Sequence, residues 1–275
     1  MRRHVTGSSG RSWQPDPVHL AVDLTLCTII DGRLHVLLYR RPYAPSAGVW
    51  GLPGSFTRPG ETLADTARRA MVSKAGIEDV WLEQLATYDQ QAGDDVRVCS
   101  VVHLALVAAP ESTDRQRISP VDDATQAASW WPIDALPTPL AFEHERFVHD
   151  AVARLRSKTR YAPVAFQLLG ARFTLAELQA VHEAVLGAPL DVRNFRRDVL
   201  ASGAVEPTGD ERRAGRGRPA RLYRHRPAPF AVDASERRTA LRIAGDDPAS
   251  DPTCLDGDGD GSIGRGGDDG RTVAL

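Results

Sequence analysis

The chain has 275 residues, 42% of them apolar and 25% charged, with a formal net charge of -2. That is long for one domain and comfortable for two, with the composition of an ordinary globular protein. No run approaches the length of a membrane-spanning helix. The first residues carry arginine without an apolar core and so form no signal peptide. Three cysteines, Cys27, Cys99 and Cys254, lack metal-site spacing and are too few for a disulfide framework. Cys27 and Cys99 lie in apolar runs and are expected to be buried free thiols of a cytoplasmic protein.

In chain order, residues 1–16 read as a disordered lead. Residues 19–30, HLAVDLTLCTII, form a β-rich stretch. The turn Asp31-Gly32 and a second strand, LHVLLYRR, follow it. Residues 52–77, LPGSFTRPGETLADTARRAMVSKAGI, read as a turn-rich loop running into a helix. Thr62 is its N-cap, Asp65 the capping-box partner, and Gly76 its C-terminal stop. Leu63, Ala67 and Met71 give that helix a buried stripe. Strands are expected at 78–89, 96–109 and 129–133, and a helix at 143–157 with Phe147, Val148, Ala151, Val152 and Leu155 inward.

The 52–77 stretch resembles the Nudix box of Nudix hydrolases. Glu61, Arg69, Met71, Gly76 and Ile77 match its pattern, and Ser55 stands for its first glycine. The resemblance implies that Glu61 and Arg69 are a structural pair bracing loop against helix. It also implies that three further glutamates should hold Mg²⁺ against a substrate diphosphate. Those positions are Ala70, Ser73 and Lys74. A hard divalent cation needs several carboxylate oxygens in one place, and these three side chains share one helix face without supplying any. No catalytic residue and no metal ligand is therefore expected. The alternative is an active pyrophosphatase on ADP-ribose-like substrates, its metal held by Glu61, Glu83, Asp94 and Asp95.

The polar segment 157–163 ends in proline and predicts a domain boundary. The reading is a Nudix-like domain at 17–157, a second domain at 158–227 and a disordered tail at 228–275. The second domain opens with a short helix at 163–169. A strongly periodic helix follows, with Thr174 as N-cap, Glu177 closing a capping box and Gly187 at its end. Asp191 caps a third helix that Gly203 terminates. Strands around 204–206 and 221–224 join through a Gly/Arg-rich tip. Three helices and a hairpin predict a winged helix-turn-helix. From Arg212 to Arg226 the chain carries seven arginines and no acid. Arginine forks suit phosphate oxygens and guanine edges, and asparagine suits adenine. Arg193, Asn194, Arg196 and Arg197 sit where a recognition helix meets the major groove. Arg216, Arg218 and Arg221 suit the backbone or a neighbouring groove. In the tail, DGDGDGS at 256–262 opens like a calcium loop, but Gly267 stands where its twelfth position needs a carboxylate. It reads as a solvated acidic linker.

Four longer motifs are LPTPLAFEHERF at 136–147, FTLAELQAVHEAVLG at 173–187, LDVRNFRRDVL at 190–200 and GRPARLYRHR at 217–226. Together they resemble the Nudix-related transcriptional regulators, the NrtR family. The family pattern has Asp at Glu143 and Tyr at His182. The resemblance implies an α/β (α+β) two-domain protein, a Nudix-type mixed sheet between helices followed by a winged helix. It also implies a dimeric repressor of NAD-metabolism genes on near-palindromic double-stranded DNA, sensing ADP-ribose or a related nucleotide, with no cofactor. Arg40, Arg41 and Lys74 are candidate cations for the ligand's diphosphate, and Trp50 a candidate stacking face. Phe142 and His144 come from the family motif and carry either a ligand or a structural role.

Overall fold

The computed structural model describes residues 18–77, 80–91, 96–108, 117–118, 128–213 and 219–226. The expected lead and tail, Asp94, Asp95, Arg216, Arg218, Cys254 and the calcium-like run lie outside the described residues.

Strand β1 (Val18–Ile30) is the spine. Its side chains alternate between two apolar faces, Val22, Leu24 and Leu26 on one, Cys27 and Ile29 on the other. A tight turn at Asp31 and Gly32, both at positive φ, returns the chain as β2 (Arg33–Arg40). The two pair antiparallel from Cys27↔Val36 to Ile30↔Arg33 and then part. Into this fork come two short strands that the turn-rich sequence conceals. These are β3 (Trp50–Gly51) on β2 and β4 (Gly54–Phe56) on β1. On its other edge β1 runs parallel to β6 (Arg97–Leu106), which pairs with β5 (Trp81–Gln91). Beyond β2 lie β8 (Ala128–Pro132) and β7 (Arg117–Ile118), the latter not foreseen. The order β5-β6-β1-β2-β8-β7 is a mixed sheet.

Helix α1 (Leu63–Ala75) covers one face, setting Ala67, Ala70 and Met71 on Val22 and Leu24. The expected caps are present: Thr62 and Asp65 exchange both capping-box hydrogen bonds, and Gly76 ends the helix left-handed at φ 64. Helix α2 (His144–Thr159) covers the other face. Its Phe147, Val148, Ala151, Val152 and Leu155 pack on Cys27, Val36, Leu38 and Leu104. Cys27 is completely buried, which pushes its thiol up to about 12 and leaves it inert as a nucleophile; Cys99 is half-buried.

The second region follows without a break in the core. Residues 157–158 lie inside α2, and Thr159 is fully buried with its hydroxyl donating to the Leu155 carbonyl at 2.8 Å. The stretch Pro163–Leu168 is a 3-10 turn rather than the expected helix; proline at its start and six residues of length leave no room for an α-helical ladder. Then come α3 (Leu175–Leu186), α4 (Val192–Ala201) and the hairpin β9 (Val205–Arg212) and β10 (Ala220–His225). The Thr174–Glu177 capping box, Gly187 at φ 73 and the Asp191 cap all form as read. Val164, Ala165 and Leu168 of the 3-10 turn and Val181 and Val185 of α3 join the cluster built on α2 and the sheet. A separate cluster of Phe166, Phe173, Leu178, Phe195, Val199, Val205 and Tyr223 ties helices to wing. Among the described residues no helix is long and apolar enough to cross a membrane.

Two outcomes follow. Leu155→Ala should cost about 2–5 kcal/mol, the loss for a buried leucine that leaves a cavity. In urea titrations, tryptophan emission and helical dichroism should shift together, because one core serves both regions. Separate midpoints would show two independent units. Burial also holds His144 and His182 below their ordinary 6.5. Asp23 opposes the shift at His144 and Arg41 adds to it; at His182 the Leu178 carbonyl opposes it. As pH falls below about 6.5 the unfolded chain takes up protons that the native one refuses. The stability present above that pH should drain away beneath it, read as a melting temperature that declines from pH 7 to pH 5.

Candidate functional site

The loop between β4 and α1 is fixed by Arg69. Its Nε and Nη2 donate to the two oxygens of Glu61, each at 2.7 Å. Its Nη1 reaches the Ser55 hydroxyl at 2.7 Å, and Nη2 also reaches the Phe56 carbonyl at 2.9 Å. Glu61 accepts further from the Arg58 N–H at 3.0 Å and the Thr66 hydroxyl at 3.1 Å. The Arg69 hydrogen bonds, first among these donors, pull the Glu61 carboxyl down to about 2. Glu61 and Arg69 are thus joined, and Ser55 belongs to the same network.

Beside this brace, the three positions where metal-binding glutamates were expected are otherwise occupied. Ala70 is completely buried under the sheet. The Ser73 hydroxyl turns back to the Ala70 carbonyl at 3.4 Å. Lys74 Nζ stands 5.6 Å over the Tyr39 ring. Glu83 is held by Arg154 at 2.9 Å and by Lys158. Among the described residues no three His, Cys, Asp or Glu side chains converge on a point where a metal could bind.

A cleft of about 460 Å³ opens in the fork between β1 and β2, a size typical of small-molecule sites. Its rim is aromatic and cationic: exposed Tyr43 and Phe56, Arg41 and Lys74. Arg41 lies 4.6 Å over the Phe142 ring and donates to the Tyr39 hydroxyl at 3.2 Å. Phe142 takes a positive φ of 53 just before α2, which turns the chain so that His144 enters the cleft floor. The floor is polar and buried. Asp23 of β1 accepts from the Ser100 hydroxyl of β6, and His144 Nδ1 accepts the Leu52 N–H at 2.9 Å.

Of the candidate ligand residues, Arg41 and Lys74 face this cleft and two do not. Arg40 points to the outer loop, its Nε on the Gly48 carbonyl at 2.9 Å, because it ends a strand where consecutive side chains face opposite ways. Trp50 packs edge-on against Trp131 with ring centres 5.4 Å apart and is half-buried at the core's margin. Asp23, Ser100 and Gln90 were missed. Asp23 had one signal, a lone acid inside an apolar strand.

The second region presents a basic face. On α4, Phe195 and Val199 point into the core while Arg193, Arg196 and Arg197 are exposed and Asn194 is half-buried. The turn before α4 is pinned: Glu183 accepts the Leu190 N–H at 2.9 Å and the Gln179 amide at 2.9 Å. On the wing, Arg221 is exposed. Arg212 and Arg224 are tied to Glu177 at 2.6 Å and Glu206 at 2.5 Å.

Comparison with known proteins places both regions. The NUDIX domain model matches residues 20–151, and that of the NrtR DNA-binding winged helix domain matches 165–225. An ADPR responsive transcriptional repressor of Acinetobacter baylyi is 35% identical over 217 residues, 78% of this chain and 84% of the relative. A Shewanella oneidensis NrtR, solved in complex with a 27mer DNA, is 35% identical with a TM-score of 0.64, covering 75% of this chain and 93% of that one. A MutT/nudix family protein from Enterococcus faecalis, 22% identical with a TM-score of 0.63 over 78% of this chain and 89% of its own, shares the fold.

Gly54 makes the cleft sensitive to one methyl group. A Cβ there would meet Asp23 Oδ1 at 2.1 Å and the Val22 carbonyl at 2.9 Å. Gly54→Ala should therefore cost about 1–3 kcal/mol through overpacking. Guanidinium unfolding of the two proteins side by side measures it; an unchanged midpoint would mean β4 yields freely.

Proposed function

The chain belongs to the NrtR family of Nudix-related transcriptional regulators, and from that premise we propose a repressor of NAD-metabolism genes that senses ADP-ribose or a related nucleotide. The observation that carries this reading is a ligand-sized cleft rimmed by Arg41 and Lys74, with alanine, serine and lysine at the family's metal positions. Two cations can hold a diphosphate directly, with no cofactor and no hydrolysis. On the second region, Arg193 and Asn194 read base edges while Arg196, Arg197 and Arg221 hold phosphates, joined by Arg216 and Arg218. One winged helix makes few contacts, so the protein acts as a cytoplasmic homodimer on two half-sites of a near-palindrome.

The Nudix match supports a second reading, a working pyrophosphatase. Against it, Glu61 is committed to Arg69 and Glu83 to Arg154 and Lys158. Freeing either for a metal would strand a cation.

The experiment is a gel shift on the DNA upstream of the gene, with and without ADP-ribose. Ligand should weaken operator binding roughly 5- to 150-fold, the range of ordinary coupling energies, and operator should weaken ligand binding equally. Identical calorimetric affinities for ADP-ribose in free and operator-saturated protein would exclude it as inducer. Arg193→Ala or Asn194→Ala should each cost about 1–3 kcal/mol in operator binding and relax base preference. ADP-ribose incubated with protein and Mg²⁺ or Mn²⁺ should remain intact; turnover lost in Glu61→Gln would establish the second reading.

A further inference from the structure

The cleft floor holds a donor and an acceptor that do not satisfy each other. Because His144 Nδ1 accepts the Leu52 N–H, the proton of the neutral ring sits on Nε2. Burial keeps that ring neutral by lowering its proton affinity. Nε2 faces Asp23 Oδ1 at 3.8 Å, too far for a hydrogen bond. Asp23 Oδ2 is taken by the Ser100 hydroxyl, and Oδ1 has no hydrogen-bond donor among the described residues. Asp23 is 9% exposed and His144 3%. Oδ1 lines the cleft and is free to accept from a ligand there. Gln90 Nε2, on the same cleft wall, is buried without a hydrogen-bond partner, which is costly and points to an acceptor on a ligand.

The chemistry of the gap selects its occupant. A phosphate is repelled by the Asp23 carboxylate. An ammonium could pair with Asp23 but would meet the Nε2–H donor. A hydroxyl does both jobs: its oxygen, about 2.8 Å from each atom, accepts from Nε2–H and donates to Oδ1. Gln90 adds a donor for a neighbouring hydroxyl. The cations at Arg41 and Lys74 belong to the same cleft and take the charged part of a ligand. We propose that Asp23 and His144 form a hydroxyl seat that recognises the sugar beyond the diphosphate, in ADP-ribose the terminal ribose, with Asp23 as the residue that separates ADP-ribose from ADP. This rests on the nucleotide-ligand reading above and specifies which part of the ligand the floor reads.

The test is calorimetry of ADP-ribose and of ADP against the full-length protein, Asp23→Asn and Ser100→Ala. Wild type should prefer ADP-ribose. Asp23→Asn keeps the shape but loses the charge-assisted hydrogen bond, so its affinity for ADP-ribose should fall roughly tenfold or more. Its affinity for ADP should hold or rise, since a charge facing the phosphates is gone. Ser100→Ala leaves the charge but frees the carboxylate to swing, and should narrow the preference in the same direction. It also serves as the second reading if Asp23→Asn does not fold. A wild-type protein that binds ADP-ribose and ADP alike, a preference that survives both variants, or an equal loss of both ligands would overturn the seat while leaving the ligand reading intact. A wild-type protein that binds neither would overturn that reading and the seat with it.

Discussion

Helix α2 is buried along the stripe that runs from Phe147 to Leu155, and that stripe answers to two sets of neighbours at once. The sheet contributes Cys27, Val36 and Leu104; the second region contributes Val164, Val181 and Val185. Burying a large aliphatic side chain is worth about 1.5–3 kcal/mol, so the shared surface is a substantial part of what holds either region in place. The joint is therefore apolar packing, supplemented by Arg156, whose Nε donates to the Val185 carbonyl near the end of α3 at 3.0 Å. A polar tether would have let the two regions tumble separately. A dry, shared core does not.

The fork in the sheet is the other organising feature, and it depends on backbone rather than on side-chain chemistry. Strands β1 and β2 can part only because β3 and β4 take up the hydrogen bonds they abandon. Arg69 and Glu61 hold the loop that follows β4 onto the second turn of α1. The frame that elsewhere would carry metal ligands thus survives in a chain whose corresponding side chains are Ala70, Ser73 and Lys74. The brace draws on Arg69 of the helix and on Ser55, Phe56 and Glu61 of the loop before it, none of them at those three positions.

What could be read in the sequence was local. The capping boxes at Thr62–Asp65 and Thr174–Glu177 span three residues, and the left-handed ends at Gly76 and Gly187 need only a missing Cβ. All four formed as expected. What escaped was assembled from afar. Asp23, Ser100 and Gln90 come from β1, β6 and β5, and no spacing rule links them. The strands β3 and β4 hid among the prolines and glycines of a loop, being two and three residues long. The boundary read at 157–158 followed a polar composition, yet one face of that segment is buried: Thr159 is completely covered between charged neighbours. Composition averages over faces, and burial does not. Arg40 and Arg41 show the same limit: they are neighbours where β2 ends, yet only Arg41 lines the cleft.

Between Glu143 and Arg160, α2 contains neither glycine nor proline, so it has no internal hinge. Sixteen residues at 1.5 Å each make a strut of about 24 Å. One end is pegged in the cleft through His144 and the other is fastened to α3 through Arg156. A body of this kind behaves as a lever: a tilt of about 5° at the floor displaces its far end by roughly 2 Å, for a helix of that length. At that far end, the Leu190 N–H on Glu183 ties the turn that leads into α4 back to α3. Mechanical advantage, in this molecule, is a matter of helix length and of the absence of joints.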